Sequence, residues 1–485
     1  MPDLILEGSK WKNDVNRREE KERDYCFYND DHNYSVSNGY KVSYDCTDND
    51  GITNTLHMTA DGFLEEIIFK RVNFQEAAIL KEYIETDNLT KSIIDAKSIL
   101  FKVQPSITIE ASEERQEKFN QFLEDTNFFP LLRQIQRLTE LQFDLHVIPQ
   151  IRDGKVCIDI VLAQDAFVEQ DKNDPTKFTK FFYQTGVLEN TVSSEKVTEY
   201  IYWDADGQHK CEITADGQID QATVEDIPSV WDGTKVIPVV VFRNYIPINT
   251  YWSPRKNYLV EKNIQVDLRL TALNMLEDFN LPQKVRIGMD ADVEGKVGLT
   301  FTEDILRNDQ GEAVGSVNYI RPDAPVTEEK ELIEWRKKEV AVSSGLSADS
   351  LTGKTFTSGF ELFLSKSEII EKNKEDRPLY RQPLKQLLSY MMFLAKDKAN
   401  YGATVDTMPE VSINFGELVY TQSPEEVERV NAAKLVNGTG SLVEFAMKED
   451  PDLEEEEAIK LIKQRQSWKK LTALTDPFKN EKEND

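Results

Sequence analysis

The chain has 485 residues, with 58 Lys and Arg against 87 Asp and Glu, and a formal net charge of −29 with its 4 His neutral. That acidity argues against a protein that wraps nucleic acid tightly, because such binding needs Lys and Arg to displace counterions from phosphates. It does not exclude a passage through which DNA slides without sticking. With 39% hydrophobic and 30% charged residues a packed core can be built, and the length suggests about two to four compact units.

No apolar run reaches the roughly 18–20 residues of a membrane span; Val236 to Phe242 is broken by Pro238 and reads as a strand. The N-terminus lacks the basic-then-apolar order of a secretory signal, so a soluble intracellular protein is expected. Cys26, Cys46, Cys157 and Cys211 have no C-x-x-C spacing. They support neither a zinc ribbon nor a disulfide framework, and a reducing compartment fits them.

Residues 1–55 are polar with scattered aromatics and read as a loosely packed arm. From Phe74 to Leu100 apolar residues recur three or four apart, which predicts helices. Val103 to Glu110 alternates and reads as a strand, followed by amphipathic helices over Glu113 to Leu123 and Leu131 to Leu141. Leu145 to Gln150 and Lys155 to Leu162 flank Arg152-Asp153-Gly154, a hairpin turn. Further strands are predicted at 178–188, 195–203, 209–214 and 236–242, separated by Asp-Gly pairs, so the sheet is antiparallel rather than doubly wound.

Pro254 can occupy a first helical turn, and no breaker follows until Pro282. The helix predicted there has about 26 residues and spans roughly 40 Å. Leu259, Val266, Leu270, Leu273 and Leu276 form its apolar stripe, with Lys262, Asp267, Arg269 and Glu277 on other faces. A short β-like stretch rich in Gly separates it from a second helix, Val326 to about Ser343. Acidic Glu328 and Glu329 lie at that helix's start and Lys337 and Lys338 toward its end, the order the helix dipole favours. A polar loop leads to an apolar-rich helical region, Phe360 to Ala399, where Pro378 or Pro383 would introduce a kink. One strand, Val411 to Phe415, precedes a helical C-terminus marked by Ser423-Pro424-Glu425-Glu426, Asn437-Gly438, Ser441 to Glu444 and Asp450-Pro451.

Signals for chemistry are few. Ala348 to Thr355, ending Gly353-Lys354-Thr355, satisfies a loosened phosphate-loop pattern. A phosphate loop needs a buried strand leading in, and here a charged helix precedes it. His32, His57, His146 and His209 form no ligand cluster and read as surface or half-buried residues. Acidic pairs such as Asp48 with Asp50, or Asp290 with Asp292, lack a full calcium-loop pattern, and Glu454 to Glu457 reads as a solvated helix start. No nucleophile elbow or paired catalytic Cys and His is present in the pattern of residues.

The order of parts is the distinctive feature: an α/β body, a long helix, a small β insertion, a second helix, a polar loop, a long helix, one returning strand and a helical end. In that order the chain resembles the portal proteins of tailed bacteriophages, the ring at one capsid vertex through which DNA is packed and released. Asn88 to Leu100 with Val103-Gln104-Pro105 resembles the wing. Gln265 to Asn274 followed by Phe279 to Pro282 resembles a stem helix running into the clip. Gly345-Leu346-Ser347 through Ser358 to Leu362 resembles the tunnel loop and the helix after it, and Ser423 to Gly440 with Asp450 to Gln464 resembles the crown. The Gly that often precedes the wing hairpin is replaced here by Phe143-Asp144.

The resemblance implies an α+β, portal-like fold: an N-terminal arm and α/β wing over 1–254, stem helices 255–281 and 326–345, and a β-containing clip 282–325. A tunnel loop 346–359, a long kinked helix with the returning strand over 360–420, and a crown and tail 421–485 complete it. It implies a homo-oligomeric ring, dodecameric in virions, that is not an enzyme and uses no cofactor, metal or membrane. Its implied partners are duplex DNA, the major capsid protein, the terminase large subunit and a head-tail adaptor. Its implied place is the virion vertex, after assembly in the host bacterial cytoplasm. Lys354, Thr355 and Thr357 are then the tunnel-loop contacts to DNA, and Lys284, Arg286 and Arg321 the clip contacts. A ring would let charged helices bury their stripes against neighbours and let clip sheet edges pair between subunits. The alternatives are a P-loop-type nucleic-acid-dependent ATPase and a non-portal structural adaptor of a virion.

Overall fold

The polar N-terminal segment opens with α1 (Gly8–Tyr28). Its buried residues include Asp14, Arg17, Lys21 and Asp24, spaced three or four apart, so the stripe it turns inward is charged. Each Arg17 terminal nitrogen donates to a main-chain carbonyl, Nη1 to Ala163 and Nη2 to Ala166, both at 2.7 Å. Its Nε donates to Asp14 at 3.0 Å, and the guanidinium stacks 3.6 Å over the Trp252 ring. Burial pushes Lys21 down to about 8 and Asp24 up to about 6. The loosely packed arm expected here is therefore an anchored helix, held by paired charges where an apolar stripe would ordinarily do the work.

The structure, a computed structural model, describes residues 8–47, 53–189, 196–213, 219–253, 257–280, 283–287, 316–320, 325–348, 359–395 and 410–416, with six positions beyond: 441, 443, 459, 460, 462 and 463. The chain divides into one unit of 1–354 with 366–418 and another of 355–365 with 419–485. Of the second unit the described residues are the first turns of a long helix and those six positions, where Val443, Ile459, Lys460, Ile462 and Lys463 are helical. The C-terminal helix starts expected at Ser423 and Asp450 lie outside the described residues.

After α1, β1 (Ser35–Thr47) and β2 (Thr53–Gly62) form a two-stranded ribbon. Its register pairs Val42 with Met58 and Tyr44 with Leu56, while Lys41 faces Thr59 and Ser43 faces His57. Ala60, at the ribbon's base, packs with Ile68, Phe69 and Ala77 of α2 (Phe63–Phe69) and α3 (Phe74–Leu80). Gly62 is required there, because a Cβ would sit 2.1 Å from the Asn33 Oδ1 that accepts the Leu64 and Glu65 amides opening α2.

The body then follows the predicted order: α4 (Leu89–Lys97), β3 (Ser106–Ile109), α5 (Glu113–Asp125), α6 (Phe128–Gln142), β4 (Asp144–Arg152) and β5 (Lys155–Leu162). The β4–β5 turn is the two residues Asp153 and Gly154, both at positive φ, between the register pair Arg152 and Lys155. At the α6–β4 junction Phe143 sits at φ 69, and its ring lies 4.4 Å beneath the Lys21 ammonium. Next come β6 (Ala166–Gln170), β7 (Phe178–Glu189), β8 (Lys196–Trp203), β9 (Gln208–Ile213), β10 (Glu225–Ile227) and β11 (Val240–Arg243). Strands β6 and β10 were not anticipated, and β11 is shorter than expected because Pro238 cannot donate to a ladder.

Two antiparallel sheets dominate, ordered β10-β9-β8-β7-β6 and β11-β4-β5. The rest of the chain supplies α7 (Tyr258–Phe279), β12 (Gln283–Ile287), β13 (Ser316–Ile320), α8 (Val326–Ser343), α9 (Gly359–Leu394) and β14 (Val411–Asn414). The returning strand β14 pairs antiparallel with β3, as Ile413 opposite Ile107. A helix carrying Pro378 and Pro383 loses two backbone donors. α9 is held nonetheless by Tyr380, Leu384, Leu387, Leu388, Met391 and Met392, all buried in the core that α6, β4, β11 and β14 share. The fold is α+β, with mixed helices and antiparallel sheets.

Candidate functional site

Asn257 caps α7: its Oδ1 accepts the Leu259 amide at 3.1 Å while its Nδ2 donates to the Leu141 carbonyl at 3.0 Å. One bond starts the helix and the other fastens that start to the end of α6.

The helix then meets neighbours on three sides. Val266 and Leu273, with Leu259 and Leu270 partly buried, pack against Ile333, Val340 and Ala341 of α8. Val260 and Ile264 join Phe27 and Leu64 from α1 and α2. The third side is polar and fully buried: Asn263, Asp267 and Thr271, four residues apart. Asn263 Oδ1 accepts from the Thr90 amide and hydroxyl, both at 2.8 Å, and its Nδ2 donates to the Asp87 carbonyl at 2.9 Å. Asp267 Oδ1 accepts the Asp87 amide at 3.0 Å, and Thr271 Oγ1 accepts the Glu85 amide at 3.2 Å.

The other Asp267 oxygen accepts from His32 Nδ1 at 2.7 Å, and His32 Nε2 points at the Phe27 carbonyl at 3.2 Å. Burial raises the Asp267 carboxyl, opposed by the His32 hydrogen bond and the Asp87 amide. His32 was expected at or near the surface and is instead 1% exposed. The same correction applies to His146, which is 0% exposed, bonds Tyr251 at 2.9 Å, and is driven well below the usual histidine range by burial and then by Arg243 and Arg17. His209 is half-buried between Asp204 and Asp226, as expected. The α7 polar stripe escaped sequence reading because Asp267 was grouped with Lys262, Arg269 and Glu277 as charges off the apolar stripe. A signal existed in the four-residue recurrence of Asn, Asp and Thr.

α8 runs antiparallel to α7. Lys262 approaches Glu339 at 3.8 Å near one end, and Glu277 meets Lys330 at 2.7 Å near the other, with Arg269 reaching Glu329 at 3.1 Å. Burial draws Lys337 down, but its 2.8 Å bond to Asp87 outweighs that and leaves it above the usual lysine value. Of 18 residues α8 buries only Ile333, Val340 and Ala341, and Trp335 and Val342, one heptad apart, are each 57% exposed.

The end of α8 is fixed by a Schellman turn. Leu346 N donates to the Ala341 carbonyl and Gly345 N to that of Val342, both at 3.0 Å, with Gly345 at φ 79. Buried Leu346 returns to the cluster containing Val340 and Ala341. The segment toward Lys354 therefore leaves from the carbonyl end of a helix. That negative pole is the reverse of the amide cradle a phosphate loop presents.

Of the residues singled out by the resemblance, Lys284 and Arg286 are alternate positions of β12, opposite Tyr319 and Val317 of β13. Arg321, Lys354, Thr355 and Thr357 lie outside the described residues. Among the described residues no group of three or more His, Cys, Asp or Glu is placed to hold a metal ion, and no helix is long and apolar enough to cross a membrane.

No family model and no curated protein matches the chain. Among solved structures, a chain of the virion of a native gene transfer agent particle is 10% identical with a TM-score of 0.40, over 79% of this chain and 96% of that one. A chain from the neck of an empty gene transfer agent particle, computed with C6 symmetry, is 10% identical with a TM-score of 0.38, over 76% and 92%. Likenesses at these values carry no functional argument.

Proposed function

We propose that the chain is the subunit of a portal-like ring at one vertex of a virion, a passage for duplex DNA during packaging and release. The observation that carries this reading is the unfinished α8. It is a long, charged helix that buries three of its 18 residues and leaves Trp335 and Val342 on its open side, although its partner α7 is enclosed on three sides. Side-by-side copies around an axis would cover that side.

The β12–β13 hairpin between the two helices fits a small clip, with Lys284 and Arg286 as contacts to DNA or to the next subunit. The segment leaving the Gly345 turn fits a tunnel loop, with Lys354 the main phosphate contact and Thr355 and Thr357 weaker ones. An acidic wall would repel phosphates and let the duplex slide. The ring would be dodecameric, would meet the major capsid protein, the terminase large subunit and then a head-tail adaptor, and would itself catalyse no reaction.

The test is the mass and shape of the purified full chain. A closed oligomer with a central opening in negative-stain images, about 20 Å or wider so that a duplex fits, is expected. A monomer at every concentration and salt, or a solid oligomer with no opening, rejects the reading.

A further inference from the structure

A surface groove of about 640 Å³ lies where the end of α1, residues 101–105 and α6 meet. Phe101 and Pro105 are buried at its base, with Tyr25 and Tyr28 on the α1 side and Phe129 on the α6 side. Two cations line it, Arg133 and Arg137, one helical turn apart on α6. No carboxylate lines it, in a chain of net charge −29.

Both arginines are held in place. Arg133 donates from Nε to the Phe101 carbonyl at 3.1 Å and from Nη2 to the Lys102 carbonyl at 3.3 Å. Neutral carbonyls orient its guanidinium and leave the positive charge uncancelled. Arg137 donates from Nε to Asp95 at 2.9 Å, and Tyr28 Oη donates to the same Asp95 oxygen at 3.0 Å. Asp95 thus takes one edge of Arg137, whose side chain remains 45% exposed. A guanidinium has five N–H donors, so each has more to offer than its present bonds use.

We infer that this groove binds an acidic peptide segment of a partner protein, an aromatic or large aliphatic side chain entering between Tyr25, Tyr28 and Phe129 and flanking carboxylates meeting Arg133 and Arg137. Charge complementarity selects the carboxylates, because two arginines and no carboxylate line the groove in a chain of net charge −29. The aromatic and proline walls select a side chain over a phosphate backbone, and the volume suits a few residues. The inference does not depend on ring formation.

The test uses the full chain and a short fluorescein-labelled peptide alternating glutamate with phenylalanine, read by fluorescence anisotropy. Saturable binding is expected, weakened about tenfold or more by Arg137→Gln, and similarly when glutamine replaces glutamate in the peptide. Arg133→Gln, which also loses two carbonyl bonds, is checked against an unchanged melting temperature. Tyr25→Ala, which leaves both arginines, supplies a second reading and should weaken binding of the phenylalanine peptide but not of a glutamate–glycine one. Equal affinity for the glutamine peptide, no binding at all, or displacement of the peptide by a short DNA duplex at stoichiometric concentration would overturn the inference.

Discussion

α6 and α8 are helices of nearly equal length, yet α6 buries nine of its 15 residues and α8 three of its 18. The first packs its inner side within one chain, against β4, β11 and α9, and its buried Glu140 is paired with Lys97 at 3.2 Å. The second buries less. Its ion pairs to α7 and to Asp87 are solvent-accessible, and such pairs contribute at most about 1 kcal/mol each. A helix so thinly packed leaves Trp335 and Val342 largely exposed, whereas α6 turns most of its length into the core.

The contrast breaks most directly in the core. Leu132→Ala empties a fully buried site on α6 and should cost about 2–5 kcal/mol of subunit stability, read as a lowered urea midpoint. A loss under about 1 kcal/mol would mean that α6 is no more finished than α8. Trp335→Ala addresses the other side. In the dissociated subunit it should change stability by no more than about 0.5 kcal/mol, whereas light scattering should find the oligomer falling apart at a severalfold higher protein concentration. Equal effects on both would place Trp335 in the fold rather than in an interface.

The smallest effect sharpens the polar side of the α6–α9 seam. Burial raises Asp376 to about 6, with Lys372 opposing and Glu140 adding to the rise. The folded chain therefore holds this proton more tightly than the unfolded one, and stability contributed by the protonated acid is lost as pH climbs from about 4 through 6. Asp376→Asn should remove that loss, raising the melting temperature at pH 7.5 by about 1–2 °C relative to the native chain and by less at pH 5. A larger gain at pH 5 would reverse the assignment.

What could be read beforehand follows from these same differences. Helix α8 was bounded correctly at Val326 to about Ser343, with its early glutamates and late lysines, and the β4–β5 hairpin from the runs around Asp153-Gly154, because these signals are local. Helix α1 was missed because a buried stripe of Asp14, Arg17, Lys21 and Asp24 has the composition of a solvated face; only carbonyls more than a hundred residues away make it favourable. Strands β6 and β10 were too short to stand out against the turns around them. The arginine groove was invisible for another reason. Its walls come from three separate stretches of chain, and neither Arg133 nor Arg137 is unusual until Phe101 and Tyr25 stand beside it.

The Asn263–Asp267–Thr271 row makes α7 a toothed bar. Apolar stripes tolerate sliding, since one leucine can replace another, but each tooth here engages a particular amide or carbonyl between Glu85 and Thr90. Shifting the bar by one turn, about 5.4 Å, would break each of these particular pairings. His32 and residues 85–90 are thereby held in fixed register along α7.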